Sequence, residues 1–218
     1  MNAYNLLNPQ ARELSQGKIR AMFDKANTMQ NVISMGIGEP DLHTPAPICE
    51  AAAKALCNGY THYTPNAGFP VLREAVSQHG FQVPGLYDPK EIIITNGGMG
   101  GLSLLMLVLL QPGDQVLIQD PQWLNYASQI RFCGGEPVAV PTKKENNLVM
   151  TAEDIRKCVV PGKTKALIIN SPNNPTGHVM TREELEAIAK VAVELDLLVI
   201  SDEVYNTLIF EDAEVLSI

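Results

Sequence analysis

Apolar residues along the chain fall into two kinds of pattern, and their alternation predicts the architecture. Five short runs rich in β-branched residues, EIIIT (91–95), QVLIQ (115–119), PVAVP (137–141), KALIIN (165–170) and LLVIS (197–201), are continuously apolar rather than alternating. That is the pattern of strands whose two faces are both covered. Helical patterns lie between several of them. In TREELEAIAKVAVELD (181–196), Thr181 and Glu184 have capping-box spacing, and Leu185, Ile188, Ala189, Ala192 and Leu195 form one apolar stripe. TAEDIRKCVV (151–160) begins in the same way, and TPAPICEAAAKALCNG (44–59) has Thr44 and Pro45 at its start and Gly59 at its end.

A strand, helix, strand order implies crossover connections, a mostly parallel sheet and a three-layer α/β/α sandwich. Ligands of such sheets sit beyond the carboxyl ends of the strands. Composition narrows the ligand class. The 218 residues are 45% hydrophobic and 18% charged with a net charge of −8, a globular profile whose acidic balance argues against a general attraction to nucleic acid or to an anionic membrane. Leu102 to Leu110 is too short an apolar stretch to cross a bilayer and the N-terminus has no apolar signal core, so a cytoplasmic location is the expectation. The four cysteines, Cys49, Cys57, Cys133 and Cys158, are scattered without metal-ligand spacing and read as reduced thiols. Small molecules are the expected partners.

The candidate chemistry stands where the strands end. After the first run comes TNGGMGG (95–101), where glycines at a helix start let backbone N–H groups approach an anion. The spacing matches neither a dinucleotide fingerprint nor a P-loop, and a tight strand-to-helix turn explains the glycines as well as a phosphate cradle does. After the second run, Trp123 in DPQWLNY (120–126) is either a flat platform for a ring or an ordinary aromatic. After the fourth, SPNNPTG (171–177) holds Asn174, whose amide is either aimed at a ligand or spent in an Asx turn. After the fifth, SDEVY (201–205) places Asp202 at the end of a buried strand, where a carboxylate calls for a cation. Glu203 faces the other way, and Tyr205 follows within reach of the same ligand. An anion cradle, an aromatic plate, an amide and a carboxylate at one sheet edge are satisfied together by a phosphorylated, protonatable aromatic ring, and pyridoxal 5′-phosphate is such a ligand.

These residues also carry a family resemblance. From about Asn31 onward the chain resembles the class I, fold type I pyridoxal-phosphate-dependent aminotransferases of the aspartate aminotransferase-like group. The resemblance rests on MGIGEPDLHTP (35–45), GYTHYTPNAGFPVLREAV (59–76), IIITNGGMGG (92–101), PGDQVLIQDPQWLNY (112–126), INSPNNPTG (169–177) and ISDEVY (200–205). It implies a large cofactor domain over 44–218, incomplete, preceded by an N-terminal arm and part of a small domain over 1–43. It further implies that the backbone at Gly98 and Met99 binds the phosphate, that Trp123 stacks on the ring, and that Asn174 and Tyr205 bond the phenolic oxygen. Asp202 would pair with the ring nitrogen. Tyr63 resembles the tyrosine that reaches the phosphate of a neighbouring subunit, which implies a homodimer, and Gly38 resembles the segment over the substrate carboxylate, with Trp123 and Asn174 also facing substrate.

The implied reaction moves an amino group between an amino acid and a 2-oxo acid. The family's Schiff-base lysine would lie beyond Ile218, with Lys163 and Lys165 at the wrong end of the fourth strand, so the 218 residues alone are expected to be inactive. A carbon–sulfur lyase of the same fold and a non-catalytic remnant are the alternatives.

Overall fold

The computed structural model describes residues 3–8, 11–12, 22, 24–33, 38, 40, 42–81, 83–210 and 213–218. Four of the five apolar runs form strands: β1 (Gln115–Asp120), β2 (Glu136–Pro141), β3 (Thr164–Asn170) and β4 (Leu198–Asp202). They pair in the order β2-β1-β3-β4, every pair parallel. All four carboxyl ends therefore lie along one edge of the sheet.

The helices are α1 (Ala46–Cys57), α2 (Pro70–His79), α3 (Gly97–Leu109), α4 (Asn125–Phe132), α5 (Ala152–Cys158) and α6 (Arg182–Glu194). Capping boxes start α5 and α6: Thr151 pairs reciprocally with Asp154, and Thr181 with Glu184, satisfying donors that a helix start leaves unpaired. Pro45 precedes α1, and the chain leaves that helix through Asn58 and Gly59, the latter at φ +82°, a left-handed position that costs glycine nothing.

Alternation along the strands divides the core between two faces. Leu117, Leu167 and Ile169 pack with Ile155 of α5 and Leu185, Ile188 and Val191 of α6. Val116, Ile118, Ala166, Ile168 and Ile200 pack with Met106 of α3 and with Tyr126 and Ile130 of α4. The sheet is thus the middle of three layers, as expected. The chain divides into two units, Met1–Asn66 and Ala67–Ile218, and the whole sheet belongs to the second.

The expected strand at 91–95 does not form. Pro89–Glu91 is a 3-10 turn closed by an Asp88 capping box, and the isoleucines after it run on without a ladder. A strand is defined by its partner, and the amide of Ile94 finds only the carbonyl of Ala67, at 3.1 Å. A slot of about 1030 Å³ separates Ile92–Ile94 from Val199, Ile200 and Ser201 of β4. Gly68 explains how closely the run is held on its other side: at φ +93°, its missing Cβ would lie 2.6 Å from Ile94 Cγ1.

Candidate functional site

Beyond the carboxyl ends of the strands lies a cleft of about 210 Å³. Of the eight residues singled out from the sequence, Gly98, Met99, Trp123, Asn174, Asp202 and Tyr205 all line it. Tyr63 and Gly38 belong to the first unit, where both are exposed. Gly36, Ile37, Glu39 and Asp41 of the surrounding motif lie outside the described residues.

One end of the cleft is the start of α3. Gly97 enters at φ +68°, and an added Cβ at Gly98 would meet nothing within 4 Å. Asn96 at the cap position makes no side-chain bond to the helix. The first-turn N–H groups have no partner within the helix, and the helix dipole adds partial positive charge, so an anion is what this end accepts.

The opposite end is built on Asp202, the last residue of β4. Its Oδ2 accepts from the hydroxyl of Tyr126 at 2.5 Å, and its Oδ1 accepts from the Val204 amide at 3.2 Å. Tyr126 is only 4% exposed. Burial first, then the hydrogen bond and charge of Asp202, push its phenol far above the ordinary tyrosine range; it remains a proton donor at any physiological pH. No ion pair between described residues involves Asp202. Both donors that hold the carboxylate are neutral, so its charge is left for a cation that the described chain does not supply.

Between these ends, Trp123 presents its ring with Tyr126 edge-on at 5.1 Å and 73°. Asn174 Nδ2 donates to the Tyr205 hydroxyl at 3.2 Å, which sets an amide and a phenol side by side. Of the two asparagines in the loop, Asn173 makes the Asx-type turn, its Oδ1 accepting from the Thr176 amide and hydroxyl at 3.2 and 2.9 Å. Asn174, which makes no such turn, lines the cleft together with its partner Tyr205. Asn170 stitches these parts together: its Oδ1 accepts from the Asn174 backbone N–H at 2.8 Å and its Nδ2 donates to the Asp202 backbone carbonyl at 2.9 Å. Glu203 turns away and accepts from the hydroxyls of Ser201 and Ser217.

Sequence reasoning missed Tyr126 and Asn170. Tyr126 is three residues after Trp123, on the face of α4 that meets the core, and this spacing was the signal available for it. Asn170, at the end of a buried strand, had the same signal as Asp202. The open glycine cradle, the aromatic plate, the paired Asn174 and Tyr205, and a carboxylate held only by neutral donors fit a phosphorylated, protonatable ring. No lysine among the described residues lines the cleft.

A parallel α/β sheet with such a cleft at its carboxyl edge is the framework of a ligand-binding α/β domain. The family model for aminotransferase class I and II matches residues 30–218, and the chain belongs to that family. It is 42% identical over 218 residues to the aspartate aminotransferase of Bacillus sp. (strain YM-2), covering 98% of this chain and 55% of that protein. It is 44% identical to aromatic-amino-acid aminotransferase 2 of Thermococcus litoralis, covering 94% of this chain and 53% of that one. The structure of aspartate aminotransferase from Thermus thermophilus with maleate superimposes with a TM-score of 0.88 at 39% identity, over 97% of this chain and 56% of the other. The chain thus spans about half the length of the relatives it matches.

Proposed function

We propose that this chain carries the cofactor-binding part of an aminotransferase that moves an amino group between an amino acid and a 2-oxo acid by means of pyridoxal 5′-phosphate. The observation that carries the reading is the convergence of Gly98, Met99, Trp123, Asn174, Asp202 and Tyr205 on one cleft. The amides at the start of α3 hold the phosphate, and Trp123 supports the ring face. Asn174 and Tyr205 bond the ring oxygen. Asp202 would pair with the ring nitrogen, and the Tyr126 hydroxyl aims that carboxylate. When bound, the cofactor supplies an electron sink that lets an amino acid lose its Cα proton. The described residues bind and orient; the amine for a covalent link comes from outside them.

In the same reading, residues 44–218 form the large domain and 1–43 the arm and part of the small domain. Tyr63 reaches the phosphate of a neighbouring subunit in a homodimer, Gly38 serves the substrate carboxylate, and Trp123 and Asn174 also face substrate. The working location is the cytoplasm; no helix among the described residues is long and apolar enough to cross a membrane.

Pyridoxamine 5′-phosphate needs no covalent bond and tests the reading on the 218-residue chain itself. Saturable binding by fluorescence titration is expected, weakened roughly tenfold or more by Asp202→Ala, since a hydrogen bond to a charged group contributes about 1.5–3 kcal/mol. Absence of saturation, or equal affinity in the variant, overturns it.

A further inference from the structure

A helix that opens Gly97-Gly98-Met99-Gly100-Gly101 has little of its own to fix its first turn. Glycine loses more backbone freedom on ordering than any other residue, and Asn96 contributes no side-chain cap. Two groups from outside the helix grip the turn instead. Thr95 Oγ1 donates to the Gly97 carbonyl at 2.8 Å. Gln129 Nε2, reaching across from α4, donates to the Met99 carbonyl at 3.0 Å and to Ser103 Oγ at 3.0 Å.

A peptide unit is planar, so a carbonyl that is held also fixes the N–H of the next residue. Thr95 therefore sets the plane carrying the Gly98 amide, and Gln129 sets the plane carrying the Gly100 amide. Gln129 is 9% exposed and stands next to Ile130, which is fully buried. An apolar side chain of the same shape would pack there without the cost of desolvating an amide. What the amide adds is a fixed direction for the helix start. It lies three residues after Tyr126, so one face of α4 reaches both the carboxylate end and the anion end of the cleft.

We propose that Gln129 is a positioning residue for the phosphate, acting through the Met99 carbonyl to aim the amides at the start of α3. The inference rests on the reading above that this helix start takes the phosphate.

The test compares pyridoxamine 5′-phosphate with pyridoxamine, which lacks the phosphate, on the 218-residue chain and on Gln129→Met, a near-isosteric variant without the donor. The wild type is expected to bind the phosphorylated ligand more tightly. In Gln129→Met that preference falls roughly tenfold, the scale of one lost charge-assisted contact, while pyridoxamine itself binds within about twofold of wild type. Gln129→Glu, which keeps the reach but replaces the donor by an acceptor, lowers the preference at least as far. Ser103→Ala, which spares the bond to Met99, leaves it unchanged.

A wild type with no preference for the phosphorylated ligand defeats the cradle reading, and this inference with it. A wild-type preference that survives intact in both Gln129 variants leaves the cradle standing and overturns the inference alone. An equal loss for both ligands also overturns it, because that is the signature of a role in packing only.

Discussion

On one face of the sheet, Leu117, Leu167 and Ile169 meet Ile155, Leu185, Ile188 and Val191, and the buried cluster is entirely aliphatic apart from methionine. On the other face, Val116, Ile118, Ala166 and Ile168 meet Met106 and Ile130, but Tyr126 is buried in the same cluster with Trp123 packed against it. Both faces exclude water from the same four strands. The second places polar atoms at the cleft, the Tyr126 hydroxyl on Asp202 and the Gln129 amide on Met99, whereas the buried polar group of the first, Gln119 Oε1, accepts from the Met150 backbone N–H within the packing itself. The difference shows how a cleft is held in position without mobile surface groups: its anchors are set by side chains whose bodies are already fixed in the core.

Leu167→Ala is the harshest way to separate the two faces. Leu167 is fully buried under α5 and α6, and emptying such a site costs about 2–5 kcal/mol of stability. The loss is expected in denaturant unfolding, with the affinity of the remaining folded protein for pyridoxamine 5′-phosphate unchanged. A matching loss of affinity in folded protein would mean that the packing face also shapes the cleft.

Tyr126→Phe, on the other face, is expected to cost about 1–3 kcal/mol, because it leaves a carboxylate oxygen without its donor. It also predicts a pH dependence. In the folded chain the phenol titrates above its ordinary value of 10.0. The unfolded chain therefore releases this proton first as pH rises, so the folded state binds more protons and loses stability above about pH 10. Below that the contribution is present in full. Denaturant midpoints measured from about pH 8 to about pH 11 should fall for the wild type and fall less for Tyr126→Phe. Parallel curves would show that Tyr126 titrates as an ordinary exposed phenol.

A smaller effect returns to the packing face. Thr181 Oγ1 accepts from the Glu184 amide at 3.2 Å, while Glu184 Oε2 accepts from the Thr181 amide at 2.8 Å and contacts His178 Nε2 at 2.9 Å. Thr181→Ala removes one half of this box and is expected to lower stability by about 1 kcal/mol, seen as a shifted melt without altered ligand binding. A change in binding would show that the start of α6 governs the 171–178 loop through His178.

How much of this could be read from the chain follows from the range over which each feature is encoded. The capping boxes at Thr151 and Thr181 are written within four residues, and both formed. Four strands were legible because a continuous apolar run needs only two covered faces. The run at 91–95 was misread because its composition says nothing about whether a neighbour exists to complete a ladder. Gly98, Trp123, Asn174 and Asp202 were located together because the carboxyl-edge rule converts chain order into place. The bond from Tyr126 to Asp202 joins residues 76 apart in the chain, and Gln129 meets Met99 across 30. Spacing alone cannot show contacts of that range. They appear only when α4 is laid against α3 and the end of β4.

The smallest expected effect concerns what holds α5 to α6. Arg156 donates to both carboxylate oxygens of Glu194, at 3.3 and 2.6 Å, across 38 residues of chain. The geometry is bidentate, which favours the pair. Yet the side chains are 46% and 53% exposed, so water and salt screen the charges, and two long side chains lose rotamer freedom to meet. Beneath them, Ile155, Ile188 and Val191 are almost wholly removed from water, a gain that salt does not screen. Arg156→Gln should therefore leave the thermal midpoint within error of wild type at physiological ionic strength. A clear drop, larger in low salt than in high, would place part of the burden of this face on charge and remove the cleanest contrast between the two sides of the sheet.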